Sequence, residues 1–161
     1  MSDGTRVPSL GRRGEGWVVL QGLDWVLAAL AAALGPRWPN GARTVLVVIG
    51  ALVAVPGAAL VVSGFTGLGS SVTPFPRPHK DATFRTGGGY RLVRHPMYGG
   101  LLLVFVGGAL MTSPVALFPA FALALIFEAK RRIEEGWLLE RYPEYAGYRR
   151  QVRHALVPGV W

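Results

Sequence analysis

The stretch TVLVVIGALVAVPGAALVVSGF, residues 44–65, decides the fold. It carries no charged residue over about the length that an α-helix needs to cross the ~30 Å hydrocarbon core of a bilayer. The uncharged sequence continues to Pro76, and a second uncharged run fills 96–127. A third apolar run, 16–34, holds Asp24 as its one charge. Across the 161 residues, 51% are hydrophobic and 16% charged, against about 25% charged in soluble proteins. Disorder is excluded, because apolar residues are abundant and continuous. The expected fold is an all-α integral membrane protein with about four transmembrane helices, the third and fourth as a helical hairpin, and a cytosolic C-terminal helical segment.

Outward from 44–65, the run 16–34 reads as the first span, closed by Gly35-Pro36 and Pro39-Asn40-Gly41 turn chemistry. Arg12-Arg13 and Ala29-Leu30-Ala31 also fit a secretory signal, and Asp24 counts against it. Gln21 and Asp24 share one helical face, either as part of a site or as interhelical hydrogen-bonding groups. Within the second span a kink is expected at Pro56-Gly57, and Gly50, Ala54, Gly57 and Gly64 suit close helix packing. Residues 67–89 read as a long loop. The runs 97–111 and 114–136 form the hairpin, broken at Thr112-Ser113-Pro114. From Glu128 the last helix becomes charged, with Glu128/Arg132, Lys130/Glu134 and Arg131/Glu135 spaced as i,i+4 surface pairs. Residues 1–15 are expected to be a flexible N-terminal segment and 16–161 a single membrane-embedded domain.

The net charge of +8 sits in blocks. Residues 1–43, 77–94 and 128–161 carry net +2, +4 and +2, with the apolar runs between them. Alternating basic segments and uncharged spans follow the positive-inside pattern, with anionic headgroups as counter-ions. No nucleic-acid partner is expected. An even number of crossings puts the N-terminus, the 67–95 loop and the C-terminal region on one side, which the Lys and Arg count makes the cytoplasm of a cell membrane. There is no cysteine, so thiolate chemistry and Cys-ligated metals are excluded. His79, His95 and His154 lack ligand spacing, and no metal site is expected.

Two segments carry chemistry. The first is Gly89-Tyr90-Arg91-Leu92-Val93-Arg94-His95-Pro96-Met97-Tyr98-Gly99-Gly100, which gathers cations, an imidazole and two phenols before an apolar helix. The second is Arg132-Ile133-Glu134-Glu135-Gly136-Trp137-Leu138-Leu139, followed by Tyr142, Tyr145 and Tyr148. Each alone also fits an ordinary membrane-interface anchor.

Together, across residues 74–158, the order Tyr-Arg-x-Val-Arg-His-Pro-x-Tyr-x-Gly, a helical hairpin, then Arg-x-Glu-Glu-x-x-Leu-Leu resembles the isoprenylcysteine carboxyl methyltransferase and phospholipid methyltransferase family. The resemblance implies a membrane enzyme that binds S-adenosylmethionine and methylates a lipid-like or prenylated acceptor entering from the bilayer. It places Arg94, His95, Pro96 and Tyr98 in the cofactor pocket wall with Tyr90 beside them. Glu134, Glu135 and Arg132 close the pocket from the other helix, and His95, Glu135 and Arg132 are the implied catalytic groups. The chemistry is compatible: a sulfonium and an amino group call for Glu134 or Glu135, and a carboxylate for Arg94 or His95. A carboxylate acceptor needs no base, whereas an ammonium acceptor does, and His95 is the placed candidate. Two other classes remain, a non-catalytic membrane scaffold or transporter-like protein and a membrane reductase related to sterol reductases. For the latter the chain is short and has no dinucleotide signature.

Overall fold

The computed structural model describes residues 7, 8, 10–77 and 84–161. Among the described residues there are five α-helices and no strand: α1 Glu15–Leu34, α2 Asn40–Leu68, α3 Pro96–Thr112, α4 Leu117–Arg141 and α5 Tyr145–Gln151. Short 3-10 turns lie at Gly69–Ser71, Gly88–Arg91 and Pro114–Ala116. The all-helical expectation holds. Helices α1 and α2 are long and apolar enough to cross a membrane, about 30 and 43 Å by helix rise. Helix α3 is apolar but shorter, and α4 is apolar only to Phe127 before its charged half begins at Glu128. The flexibility expected for 1–15 falls in part on residues 1–6 and 9, which lie outside the described residues, as does His79.

Leu23, Val26, Leu27 and Leu30 of α1, Leu52, Val55 and Val62 of α2, and Phe118, Phe121 and Leu125 of α4 all face outward. On α1 and α2, the two helices long and apolar enough to cross a membrane, such exposed apolar faces are suited to lipid. Helix α2 begins before the expected span and absorbs the start of the expected loop, and Pro56 does not end it.

Between α2 and α3 the packing follows from glycine spacing. Gly50, Gly57 and Gly64 recur every seven residues, two helical turns, and all are buried on α2. A Cβ at Gly50 would lie 2.6 Å from the Gly107 carbonyl, at Gly57 2.8 Å from the Gly100 carbonyl, and at Gly64 2.8 Å from Met97 Cγ. The partners run backwards along α3, so the two helices are antiparallel with backbones in direct contact. Where no hydrophobic force drives helices together, such close approach gains dispersion that larger residues would block.

Helix α3 starts on Pro96, whose missing N–H costs nothing at a first helical position. It ends at buried Ser113, whose Oγ accepts the Val115 N–H at 3.3 Å and starts the next turn. Trp38 Nε1 donates to the Ala109 carbonyl at 3.1 Å, fastening the α1–α2 connection to that corner. Leu102, Leu123 and Phe127 form a core between α3 and α4.

Polar groups tie α1 to α4. Gln21 Oε1 accepts from Lys130 Nζ at 2.6 Å, so the interhelical alternative is the one seen for Gln21. Asp24 is buried on the same helix, and its Oδ2 has no partner among the described residues. The Lys130/Glu134 surface pair is corrected: Lys130 is 1% exposed and turns toward α1. Burial of its stem against Phe127 and Tyr98 outweighs a weak solvated pair.

The glycine seam generates a stability prediction. Gly57→Val should destabilise the detergent-solubilised protein by about 1–3 kcal/mol through overpacking. Gly108→Ala, where an added Cβ meets nothing within 4 Å, should leave thermal unfolding unchanged or slightly improved.

Candidate active site

The chain before α3 is held by a C-terminal strap. Arg94 N–H donates to the His154 carbonyl at 3.0 Å and His95 N–H to the Ala155 carbonyl at 2.8 Å. The Leu156 carbonyl lies against Gly99, where a Cβ would collide with it. With the backbone held in this way, the Arg94 and His95 side chains both reach α4.

There they meet Glu135, which is 3% exposed. Arg94 Nε donates to Glu135 Oε1 at 2.9 Å, and His95 Nε2 lies 3.2 Å from the same oxygen. Arg131 Nη1 reaches Oε1 at 3.2 Å from one turn back, and Arg149 Nε lies 3.6 Å from Oε2. Arg94 Nη1 is spent on the carbonyls of Val152 at 2.9 Å and Arg153 at 2.6 Å. Burial alone would raise the Glu135 carboxyl, yet hydrogen bonds and charge from His95 and Arg94 outweigh it and hold the group well below the usual carboxylate range. Glu135 is a permanent anion at neutral pH.

Glu134 points elsewhere. Its Oε2 accepts the Tyr98 hydroxyl at 2.9 Å and lies 3.7 Å from His95 Nδ1. The imidazole therefore stands between two carboxylates. Tyr98 is stacked 5.5 Å from His95 and 4.8 Å from Phe127, ring centroid to centroid. Two chambers share the Glu134 wall, together with Leu68, Thr73 and Tyr90. The larger, about 610 Å³ counted together with the solvent space at its mouth, is lined also by Phe84, Arg85, Arg94, Tyr142, Tyr145 and Tyr148. His95, Met97 and Tyr98 line the smaller. In the larger, Phe84 stacks on Tyr142 at 5.7 Å and meets Tyr145 and Tyr148 edge-on. Burial pushes the Tyr90, Tyr145 and Tyr148 phenols far above their ordinary value, so they remain protonated donors. Tyr148 donates to the Tyr90 carbonyl at 2.7 Å, whereas buried Tyr145 OH has no partner among the described residues. A buried hydroxyl beside a chamber and without a partner is a donor available to an occupant.

Of the residues singled out in the sequence, Tyr90, Arg94, His95, Tyr98, Glu134 and Glu135 come together. Pro96 is buried beneath the site against Gly64 and Gly89 rather than on a chamber wall. Arg132 is corrected: its side chain is 57% exposed and pairs with Glu128 at 2.7 Å. Neighbours on a helix point about 100° apart, and it is Arg131 that shares the Glu135 face. Sequence reasoning missed Phe84, Arg85, Thr73, Arg149 and the strap carbonyls as parts of the site. The three-residue spacing of Tyr142, Tyr145 and Tyr148 was a visible signal for the aromatic wall.

Removing the buried anion should be costly. Glu135→Gln leaves the buried Arg94 guanidinium without its counter-charge and should destabilise the fold by about 3–5 kcal/mol. A lowered folded-state pKa contributes stability that is complete above the unfolded carboxylate value and is lost as pH falls through the folded one. Thermal unfolding on acidification should therefore fall more steeply for the native protein than for Glu135→Gln.

Comparison with known proteins adds the family. The chain is 39% identical over 74 residues to the cobalt-zinc-cadmium resistance protein CzcN of Cupriavidus metallidurans, a match covering 45% of this chain and 34% of that protein. It thus spans about a third of that relative's length. The sequence model of the phospholipid methyltransferase family matches residues 45–145. That match begins within α2, well upstream of the resemblance read from the motifs, and stops before the strap. With both motif segments and most of the chain inside the match, this protein belongs to the phospholipid methyltransferase family.

Proposed function

We propose that the protein is an S-adenosylmethionine-dependent methyltransferase working at the cytoplasmic face of the cell membrane on a lipid-like or prenylated acceptor. The observation that carries this reading is the meeting of Arg94, His95 and Tyr98 with Glu134 and Glu135 beside an aromatic chamber, in a chain of this family. The residues present fit the cofactor's chemistry. Phe84, Tyr142, Tyr145 and Tyr148 offer flat surfaces to a planar base, and Tyr145 OH is a free donor among the described residues. Glu134 offers a carboxylate to a cationic group. Arg94 is largely engaged by Glu135 and the strap, so Arg85 on the same wall is the cation available to a carboxylate.

When bound, the cofactor supplies an electrophilic methyl carbon. The protein's own part is to hold donor and acceptor in a near-attack arrangement. Glu134, gripped by Tyr98, orients groups at the junction of the chambers, while Glu135 keeps Arg94 and His95 in place. For an ammonium acceptor His95 receives the proton; a carboxylate acceptor needs none. The smaller chamber is lined by Leu68 at the end of α2 and Met97 at the start of α3, which supports entry from the bilayer. Four crossings, with α3 and α4 as the hairpin turned at Ser113-Pro114, put both motifs on one side. The basic residues of 77–94 and 128–161 support that side being cytoplasmic.

Calorimetric titration of the detergent-purified protein with S-adenosylmethionine, S-adenosylhomocysteine and NADPH tests the reading. Binding of the first two but not the third is expected; absence of heat and of thermal shift with both would leave a scaffold. Glu134→Gln should weaken cofactor binding by about 1.5–3 kcal/mol, the range for a charge-assisted hydrogen bond, with little change in unfolding temperature. For topology, the native chain has no cysteine, so cysteines introduced at Ser71 and Arg153 report alone. Both should resist an impermeant thiol reagent in intact cells, and labelling of either from outside would overturn the crossing count.

A further inference from the structure

We propose that Lys130 is a positioning residue of this site, and that through it α1 takes part in ligand binding rather than serving only as an anchor. The proposal rests on the methyltransferase reading. Lys130 lies one helical turn before Glu134 on α4 and is 1% exposed. Its ammonium donates to Gln21 Oε1 of α1 at 2.6 Å and to the Pro74 carbonyl at 3.2 Å. It also stands 5.1 Å from the centre of the Tyr98 ring and 5.8 Å from that of Phe127. One buried cation thus joins α1, the segment that follows α2, α3 and α4.

Burying a lysine is expensive unless its donors are satisfied, and here two neutral oxygens and an aromatic face satisfy them in place of an ion pair. That choice of partners is what makes the contact positional. The Tyr98 ring is held between His95 and Phe127 with the ammonium beside it, and its hydroxyl is the hydrogen-bond donor that orients Glu134. Pro74 adjoins Thr73, which lines both chambers. Lys130 therefore joins the Tyr98–Glu134 wall to the 73–74 segment. Gln21 supplies the shortest of its contacts from a helix wholly outside the family-matched region.

The test compares S-adenosylmethionine, which carries a sulfonium, with S-adenosylhomocysteine, which does not. Dissociation constants are measured by calorimetry for the native protein, Lys130→Met, Tyr98→Phe, their double variant, Gln21→Leu and Gln21→Glu. A positioning role predicts that Lys130→Met weakens both ligands alike, by about three- to tenfold, and that the double variant is no weaker than Tyr98→Phe by more than a small factor. Gln21→Leu should show part of the same loss, and Gln21→Glu, which keeps the acceptor oxygen, should restore affinity. These Gln21 variants carry the test should Lys130→Met fail to fold. Additive losses in the cycle would overturn the proposal. So would unchanged affinity in Lys130→Met and Gln21→Leu, or an effect confined to the sulfonium ligand, which would make Lys130 a bare charge. If the native protein bound neither ligand, the methyltransferase reading itself would fail and the proposal with it. If it bound both and the variants were unaffected, only the proposal would fall.

Discussion

A carboxylate kept ionised in the dry interior sets the terms for the rest of this molecule. Glu135 would be unaffordable alone, and its oxygens are met by Arg94 and His95 from the chain before α3, Arg131 from its own helix and Arg149 from α5. Those partners belong to three separate pieces of the fold, so satisfying one anion brings the ends of α3, α4 and α5 together. Arg94 passes the constraint on, since its Nη1 holds the carbonyls of Val152 and Arg153. The strap is thereby held by the Arg94 side chain as well as by the backbone N–H groups of Arg94 and His95.

The membrane-facing half of the molecule obeys a different rule. Lipid gives helices no hydrophobic reason to associate, so α2 and α3 hold together by surface fit along the Gly50, Gly57 and Gly64 stripe. This seam delivers the start of α3, and with it Pro96, to a defined height against the end of α2. The smaller chamber lies at that height, between the last residue of α2 and the first turn of α3. Rigid backbone packing below and ion pairing above therefore meet at His95 and Tyr98, where a bound group would need the least freedom.

Adjacent Glu134 and Glu135 divide the work because a helix turns by about 100° per residue. Glu135 faces the cations and is used up by them. Glu134 lines both chambers and takes one neutral donor from Tyr98. The same rotation explains why Arg131 belongs to the site and Arg132 to the surface.

Helical class, the positions of the apolar runs and the break at Ser113-Pro114 were legible in the sequence, because they follow from local composition, proline geometry and the length of uncharged runs. The meeting of Tyr90, Arg94, His95 and Tyr98 with Glu134 and Glu135 was legible only as a resemblance between patterns, since no spacing rule joins residues some forty positions apart. Which carboxylate faces the chambers, and that Lys130 turns to α1 instead of Glu134, required the tertiary structure. Helical spacing names every possible partner one turn away. The choice among them is made by burial, where a satisfied donor in the interior outweighs a solvated pair. The strap was invisible for the same reason: it acts through backbone carbonyls, which every sequence carries alike, and only the approach of Leu156 to Gly99 puts them where Arg94 and His95 need them.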